Sequence, residues 1–214
     1  MIGRKILKIS IAILSGGESK RFGKDKAFAC IKNTPMIKLV YEKVHPFSDD
    51  IIIVIKRKKA IEKYRALFPK KVKIGYDIRD DFNNPIIGAY TCFKAANYKY
   101  CLLLACDLPL IKRNIIKILI NNINDYDAII PRHPNGYIEP MHAIYQTKKS
   151  IRAIEPFFKN KKNIRMQDFI SELENVNYIS TDLIREYDKD LDTFLNINTI
   201  QDIEKVKKKL RGLE

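Results

Sequence analysis

Two short segments of this 214-residue chain hold residue types suited to phosphate chemistry. The first is Ser15-Gly16-Gly17-Glu18-Ser19-Lys20-Arg21-Phe22-Gly23-Lys24-Asp25-Lys26, which follows an apolar run. Glycines let the backbone approach a ligand and turn several N–H groups toward it, a nest that suits phosphate oxygens. Arg21 adds a planar fork, and Lys26 a point charge on a flexible stem. The spacing matches neither G-x-x-x-x-G-K-[ST] nor G-x-G-x-x-G, so this is neither a P-loop nor a dinucleotide fingerprint. The second segment is Ala105-Cys106-Asp107-Leu108-Pro109, again after an apolar run. A carboxylate at the mouth of a parallel sheet, facing a phosphate loop, is placed to hold Mg²⁺, which needs only one or two carboxylates and keeps several waters. Read by itself, Asp107 could instead cap the following helix. Pro109 fixes the turn and is expected to start that helix.

The elements that must position these segments alternate between strand-length apolar runs and helical periods. Strands are expected at Ile6–Leu14, Asp50–Ile55, Val72–Tyr76, Tyr100–Ala105 and Ala128–Pro131. Helices are expected at Pro35–Val44, Ala60–Phe68, Ile87–Ala96 and Ile111–Ile123. Such alternation specifies a mostly parallel sheet covered on both faces, a three-layer αβα fold. In such a sheet ligands bind outside the carboxyl ends of the strands, where both segments lie. Past residue 131 the pattern loosens, with a turn around Pro134-Asn135-Gly136. A strand at Met141–Gln146, helices at Ser150–Lys159 and Ile164–Glu172, and a strand at Val176–Ile179 follow. Thr199–Leu210 reads as an amphipathic closing helix with Thr199 as N-cap. No repeat or low-complexity linker divides the chain. A single domain over 1–214 is expected, with halves near 6–131 and 132–214.

Lys+Arg number 40 and Asp+Glu 25, a formal charge of +15. That excess suits anionic partners in general, yet it also fits a Lys- and Ile-rich composition with an ordinary solvated surface. The runs Lys56–Lys59 and Lys205–Arg211 read as solvated faces. They lack the interleaved aromatics of a nucleic-acid surface, which leaves a basic nucleic-acid-binding protein as the distant alternative. The hydrophobic fraction of 46% excludes wholesale disorder, and no run approaches the roughly 20 apolar residues of a membrane span. Cys30, Cys92, Cys101 and Cys106 have no metal spacing, and Cys101 and Cys106, at the run Leu102–Ala105, read as core packing. Lys8 interrupts the first apolar run and no cleavage site follows it, so a cytoplasmic protein is expected.

The motifs together carry a resemblance. Leu14-Ser15-Gly16-Gly17-x-Ser19-x-Arg21-Phe22-Gly23-x-Asp25-Lys26 resembles the signature loop of the molybdenum cofactor guanylyltransferases, within the nucleotidyltransferase superfamily. Asp77-x₇-Pro85-Ile86-Ile87-Gly88 is similar to that family's D-x₇-G-P-L-x-G, and Cys106-Asp107-Leu108-Pro109 to its metal-binding C-D-x-P. Phe194-Leu195-Asn196-Ile197-Asn198-Thr199-x₂-Asp202 resembles its closing F-x-N-[VI]-N-T-P-E-D. Departures are Ser15 for Ala, Phe22 for Met, Asn84 for Gly, Ile200 for Pro, and Val54 where some relatives contact the nucleotide through Asn.

The resemblance implies a Rossmann-like fold with a nucleotide-binding half near 6–131 and an acceptor-binding half near 132–214, and GMP transfer from GTP to the terminal phosphate of molybdopterin, with release of pyrophosphate. Gly16, Gly17, Arg21 and Lys26 would hold the phosphates, with Leu14, Ser15, Asp77, Gly88 and Asp107 completing the nucleotide site. Asp107, with Asn198, would hold Mg²⁺; Arg21, Lys26 and Asp107 would be catalytic. His142, Asn196 and Asn198 would border the acceptor, although His142 could equally be satisfied in a strand interior. Arg132, His133 and Arg165 are further candidates to meet the anionic acceptor. CTP with the same acceptor, or another nucleotide with a sugar phosphate or cobamide-type acceptor, remains the alternative pair. Neither nucleic acid nor membrane is implied as a partner, whereas transient contact with cofactor-biosynthesis or apo-molybdoenzyme proteins is.

Overall fold

The computed structural model describes residues 7–16, 25–56, 58–77, 84–159 and 165–211. Gly17, Arg21 and the rest of the glycine-rich segment up to residue 24 lie outside the described residues, as do Asp80 and Asp81.

Strand β1 (Ser10–Ser15) is buried at every position and occupies the middle of a sheet. A two-residue hairpin follows, β2 (Cys30–Ile31) and β3 (Thr34–Pro35), then helix α1 (Met36–Val44). Strand β4 (Asp50–Ile55), the short helix α2 (Ile61–Arg65) and strand β5 (Lys73–Tyr76) come next. Helix α3 (Pro85–Ala95), strand β6 (Tyr100–Ala105), helix α4 (Arg113–Asn121) and strand β7 (Ala128–Arg132) complete the first half. The remainder is strand β8 (His142–Gln146), helices α5 (Thr147–Lys159) and α6 (Met166–Ser171), strand β9 (Val176–Ser180), and helices α7 (Thr181–Arg185) and α8 (Ile200–Arg211).

Seven of these strands form one sheet in the order β5-β4-β1-β6-β8-β7-β9, so both halves of the chain contribute to it. The pairings β5–β4, β4–β1, β1–β6 and β7–β9 are parallel, while β8 runs antiparallel to both its neighbours. The period of two sorts side chains cleanly. Ile11 and Ile13 of β1, Ile51 and Ile53 of β4, and Leu102 and Leu104 of β6 enter one core with α1 and α4. Ala12, Leu14, Ile52, Val54, Cys101 and Leu103 enter the other with α3, α5 and α6. This is the expected three-layer αβα arrangement. A smaller cluster of Ile31, Met36, Ile197, Ile203 and Val206 seats the hairpin against α8.

Several expectations change in detail. The hairpin β2–β3 turns through Lys32 and Asn33 at φ 48° and 65°, and α7 is also additional. Pro109 sits in a turn; the helix begins at Arg113, not at the proline. The stretch expected as one helix at 60–68 is a 3₁₀ turn followed by only five α-helical residues. Thr199 does cap α8, its hydroxyl accepting from the Asp202 amide at 3.1 Å while the Asp202 carboxylate accepts from the Thr199 amide at 2.8 Å.

Helix α3 lies directly over the end of β1. Asn84 caps it by accepting from the Ile86 amide at 3.1 Å, and Pro85 fills the first helical position. At Gly88 a β-carbon would collide with the buried Leu14 side chain. Glycine there brings the helix down onto the strand end from which the glycine-rich segment departs. Gly88→Val should therefore destabilise the protein by about 1–3 kcal/mol through overpacking. Thermal denaturation should record a Tm lower by several degrees, and an unchanged Tm would contradict the close approach.

Candidate active site

Parallel pairing sends the ends of β5, β4, β1 and β6 to one edge, so Asp77, Lys56, Gly16 and Asp107 all follow strands that finish there. Leu14 holds β6 in register beyond its last residue, its carbonyl accepting from the Cys106 amide at 3.0 Å. The next residue in the chain is Asp107. Asp77 extends the β5–β4 pairing, its amide donating to the Ile55 carbonyl at 3.0 Å.

The distinctive feature of this edge is where Lys26 points. Asp25 accepts from the Ala27 amide at 3.2 Å and so caps the 3₁₀ turn Lys26–Phe28. From that turn the Lys26 ammonium reaches Asp107 Oδ2 at 2.6 Å and Asn198 Oδ1 at 2.8 Å. The three residues come from the first, middle and last parts of the chain. Both charged side chains are more than four-fifths buried, at 16% and 19% exposure, so their attraction is little screened. Asp107 Oδ1 is buried with no hydrogen-bond partner among the described residues.

Asn196 and Asn198 sit on an extended segment whose alternation is read easily. Ile197 between them is fully buried, its amide donates to the Asp107 carbonyl at 3.0 Å, and the two asparagines are exposed on the other side. Asn198 therefore joins Lys26 and Asp107. The Asn196 amide donates to the Phe194 carbonyl at 3.4 Å, with its side chain exposed.

On the far side of β6 lie the acceptor candidates. Arg132, at the end of β7, lies over the Tyr178 ring at 5.3 Å. His133 bonds Glu139 at 2.9 Å, and burial raises the Glu139 carboxyl above its ordinary range. Arg165 is engaged with Asp168 at 3.0 Å. His142 is fully buried, packed edge-to-face against Phe194 with ring centroids 5.0 Å apart. Burial pushes its pKa down to about 4. The expected contact of His142 with an acceptor is corrected to an interior role: a neutral imidazole that packs beneath Phe194. Leu14 and Gly88 are likewise buried against one another, and shape the site through packing.

Two residues near the glycine segment escaped the motif reading. Lys56 follows β4, and a β-carbon on Gly16 would lie 3.8 Å from its own, so the two backbones run side by side. Tyr64, whose position reads as ordinary helical core, places its hydroxyl 2.7 Å from Ser15 Oγ and 2.9 Å from Asp25 Oδ2. Nothing in the spacing of α2 marks it out, because its partners lie 49 and 39 residues away.

A glycine segment leaving the central strand, with a lysine returning from it to a carboxylate on the next strand, suits a nucleoside triphosphate. The MobA-like NTP transferase domain model matches residues 11–176. The chain belongs to that family. Among relatives, the molybdenum cofactor guanylyltransferase of Desulfosudis oleivorans is 30% identical over 94% of this chain and 95% of its own length. The probable molybdenum cofactor guanylyltransferase of Methanocaldococcus jannaschii is 31% identical over 89% of this chain and 94% of its own. Among solved structures, the molybdopterin-guanine dinucleotide biosynthesis protein A of Archaeoglobus fulgidus superposes with a TM-score of 0.80. It is 25% identical and covers 95% of this chain and 100% of its own. A 2-C-methyl-D-erythritol 4-phosphate cytidylyltransferase from Thermus thermophilus shares the fold at 12% identity, with a TM-score of 0.67 over 96% of this chain and 100% of its own. The family match covers β1 through the first residue of β9, so the closing segment with Asn198 lies beyond it.

Asp107→Ala should lower kcat by at least about 100-fold, with a Tm loss limited by the hydrogen bond that Lys26 keeps to Asn198. Wild-type turnover would show that Asp107 does no chemistry. For His142, the folded pKa lies below the unfolded value of 6.5, so the unfolded chain binds the extra proton in acid. Its contribution should therefore erode stability as pH falls from about 6.5 to about 4, by at most about 1.4 kcal/mol per pH unit. Denaturant titrations of wild type and His142→Gln across that range should diverge in slope; parallel curves would place the histidine in water.

Proposed function

We propose that this chain transfers GMP from GTP to the terminal phosphate of molybdopterin, forming the guanine dinucleotide cofactor and pyrophosphate. The observation that carries the reading is the Lys26 ammonium, held between Asp107 and Asn198 at the mouth of the sheet beside the glycine segment. It is supported by family membership and by near full-length similarity to molybdenum cofactor guanylyltransferases.

In the proposed reaction an oxygen of the acceptor phosphate attacks the α-phosphorus in line, and the bond to the α–β bridging oxygen breaks. Backbone N–H groups of Gly16 and Gly17, with Arg21, would hold the triphosphate. Lys26 would turn from Asp107 and Asn198 toward the phosphates and offset the charge that builds on departing pyrophosphate. Such catalysis is mostly positioning and charge neutralisation. No general base is required, since a phosphate acceptor is already anionic near neutral pH. Cys106, beside the aspartate, takes no part: burial pushes its thiol up to about 12, which leaves it protonated. Asp77 is assigned to the nucleoside end, with the buried Leu14–Gly88 contact shaping the site from beneath. Asn196, Arg132 and His133 are assigned to the acceptor.

The donor set at Asp107 fits magnesium. It offers a carboxylate oxygen that no described residue satisfies and an amide oxygen from Asn198, hard ligands of the kind that ion takes. Among the described residues no group of three His, Cys, Asp or Glu gathers elsewhere to compete. When bound there, Mg²⁺ would supply charge neutralisation to phosphate oxygens. We place the reaction in the cytoplasm, in line with four free thiols, and expect transient contact with proteins that supply or receive the cofactor. Among the described residues no helix is long and apolar enough to cross a membrane.

The deciding assay is pyrophosphate release with GTP, CTP or ATP and Mg²⁺, with and without molybdopterin. Release should require both GTP and molybdopterin. GTP at 100 times its dissociation constant should also stabilise the fold by about 2.7 kcal/mol in a thermal shift. Release with CTP and not GTP would overturn the guanylyl assignment.

A further inference from the structure

The glycine-rich segment leaves the sheet at Ser15 and rejoins described structure at Asp25, and one buried side chain touches both ends. Tyr64, on α2, is 1% exposed and packs its ring edge-on against Phe28, centroids 4.8 Å apart. Its hydroxyl is 2.9 Å from Asp25 Oδ2 and 2.7 Å from Ser15 Oγ. A carboxylate only accepts, so the single phenolic hydrogen goes to Asp25, and Ser15 must donate to the phenolic oxygen. The result is a directed chain from Ser15 through Tyr64 to Asp25, in which each bond polarises the next. Asp25 spends its other oxygen on the Ala27 amide, which sets the turn carrying Lys26.

We propose that Tyr64 is a positioning residue for the nucleotide: its hydroxyl clasps Ser15 at the end of β1 to Asp25 and so aims Lys26. The inference rests on the proposed GTP-dependent transfer. The clasp fixes where Asp25, and with it the Lys26 backbone, stands relative to the end of β1. Burial raises the Tyr64 hydroxyl far above the ordinary phenol range, so the proton stays in place throughout the working pH range. Asp25 is exposed, so loss of the tyrosine hydroxyl leaves its carboxylate in water rather than stranded.

Steady-state pyrophosphate release with GTP, Mg²⁺ and molybdopterin tests this on Tyr64→Phe, Ser15→Ala and the double variant. Ile116→Val serves as a core control distant in sequence from the segment, and Tm is measured for each. Tyr64→Phe should raise KM for GTP about tenfold, equivalent to about 1.4 kcal/mol, and leave KM for molybdopterin within about twofold. Ser15→Ala should raise KM for GTP about threefold, and the double variant should be no worse than Tyr64→Phe, because the chain is already broken. An unchanged KM for GTP in Tyr64→Phe, or an equal rise in Ile116→Val, overturns the proposal. Should Tyr64→Phe fail to fold, Ser15→Ala decides, and wild-type KM there overturns it. A wild-type protein inactive with every nucleotide defeats the proposed function and this inference with it. An active wild type matched by Tyr64→Phe defeats this inference alone.

Discussion

The pairing of β1 with β4 on one side and β6 on the other is the constraint on which the rest of this molecule depends. A strand with parallel neighbours on both edges and helices on both faces has no exposed side, and every residue of β1 is buried. Polar groups are therefore driven to the two ends of the sheet. At the amino ends they are structural: Asp50 accepts from the Asn97 amide at 2.8 Å and from the Ser10 hydroxyl at 2.5 Å, and pairs with Lys73 at 2.7 Å. At the carboxyl ends the strands release Gly16, Lys56, Asp77 and Asp107 toward one edge. The same pairing that excludes water from the core thus collects the chemistry.

Buried carboxylates are costly unless paired, and this chain answers with lysines. Lys112 covers Asp188 at 2.6 Å, and Lys149 covers Asp127 at 2.9 Å, each a half-exposed stem over a carboxylate almost free of solvent. Asp127 also accepts from the Glu174 and Asn175 amides, and Asp188 from the Thr193 amide, so these pairs tie loops to the sheet. Part of the +15 excess therefore has a folding role. Lys26 makes the same kind of contact in a different place. Its partners stand at the mouth of the sheet, where Gly16 leaves β1, and it is there that the proposed reaction would have this ion pair open.

The parts of this arrangement differ in how visible they are in sequence. Runs such as Asp50–Ile55 and Tyr100–Ala105 announce buried strands because both their faces must be apolar. The hairpin β2–β3 is too short for any alternation and turns through Lys-Asn in place of a glycine pair. The antiparallel course of β8 is not written in its residues, since an apolar strand pairs in either sense. Lys26, Asp107 and Asn198 stand out by motif. Tyr64 does not, because a buried aromatic on a helix is ordinary core until its hydroxyl finds Ser15 and Asp25. His142 sits in a recognisable motif, yet its motif says nothing about which way the ring faces.

From sequence alone came the layer order, and the residues proposed for phosphate and metal were picked out there because they follow strand ends. These follow from patterns local to the chain: apolar period, glycine spacing, and the residue that succeeds each strand. Only the tertiary structure decided that Lys26 reaches Asp107 and Asn198 across 81 and 172 residues, that Tyr64 bridges Ser15 and Asp25, and that His142 is sealed inside. Those facts depend on which elements become neighbours and on the direction each side chain takes when they pack. Neither is a property of any segment by itself.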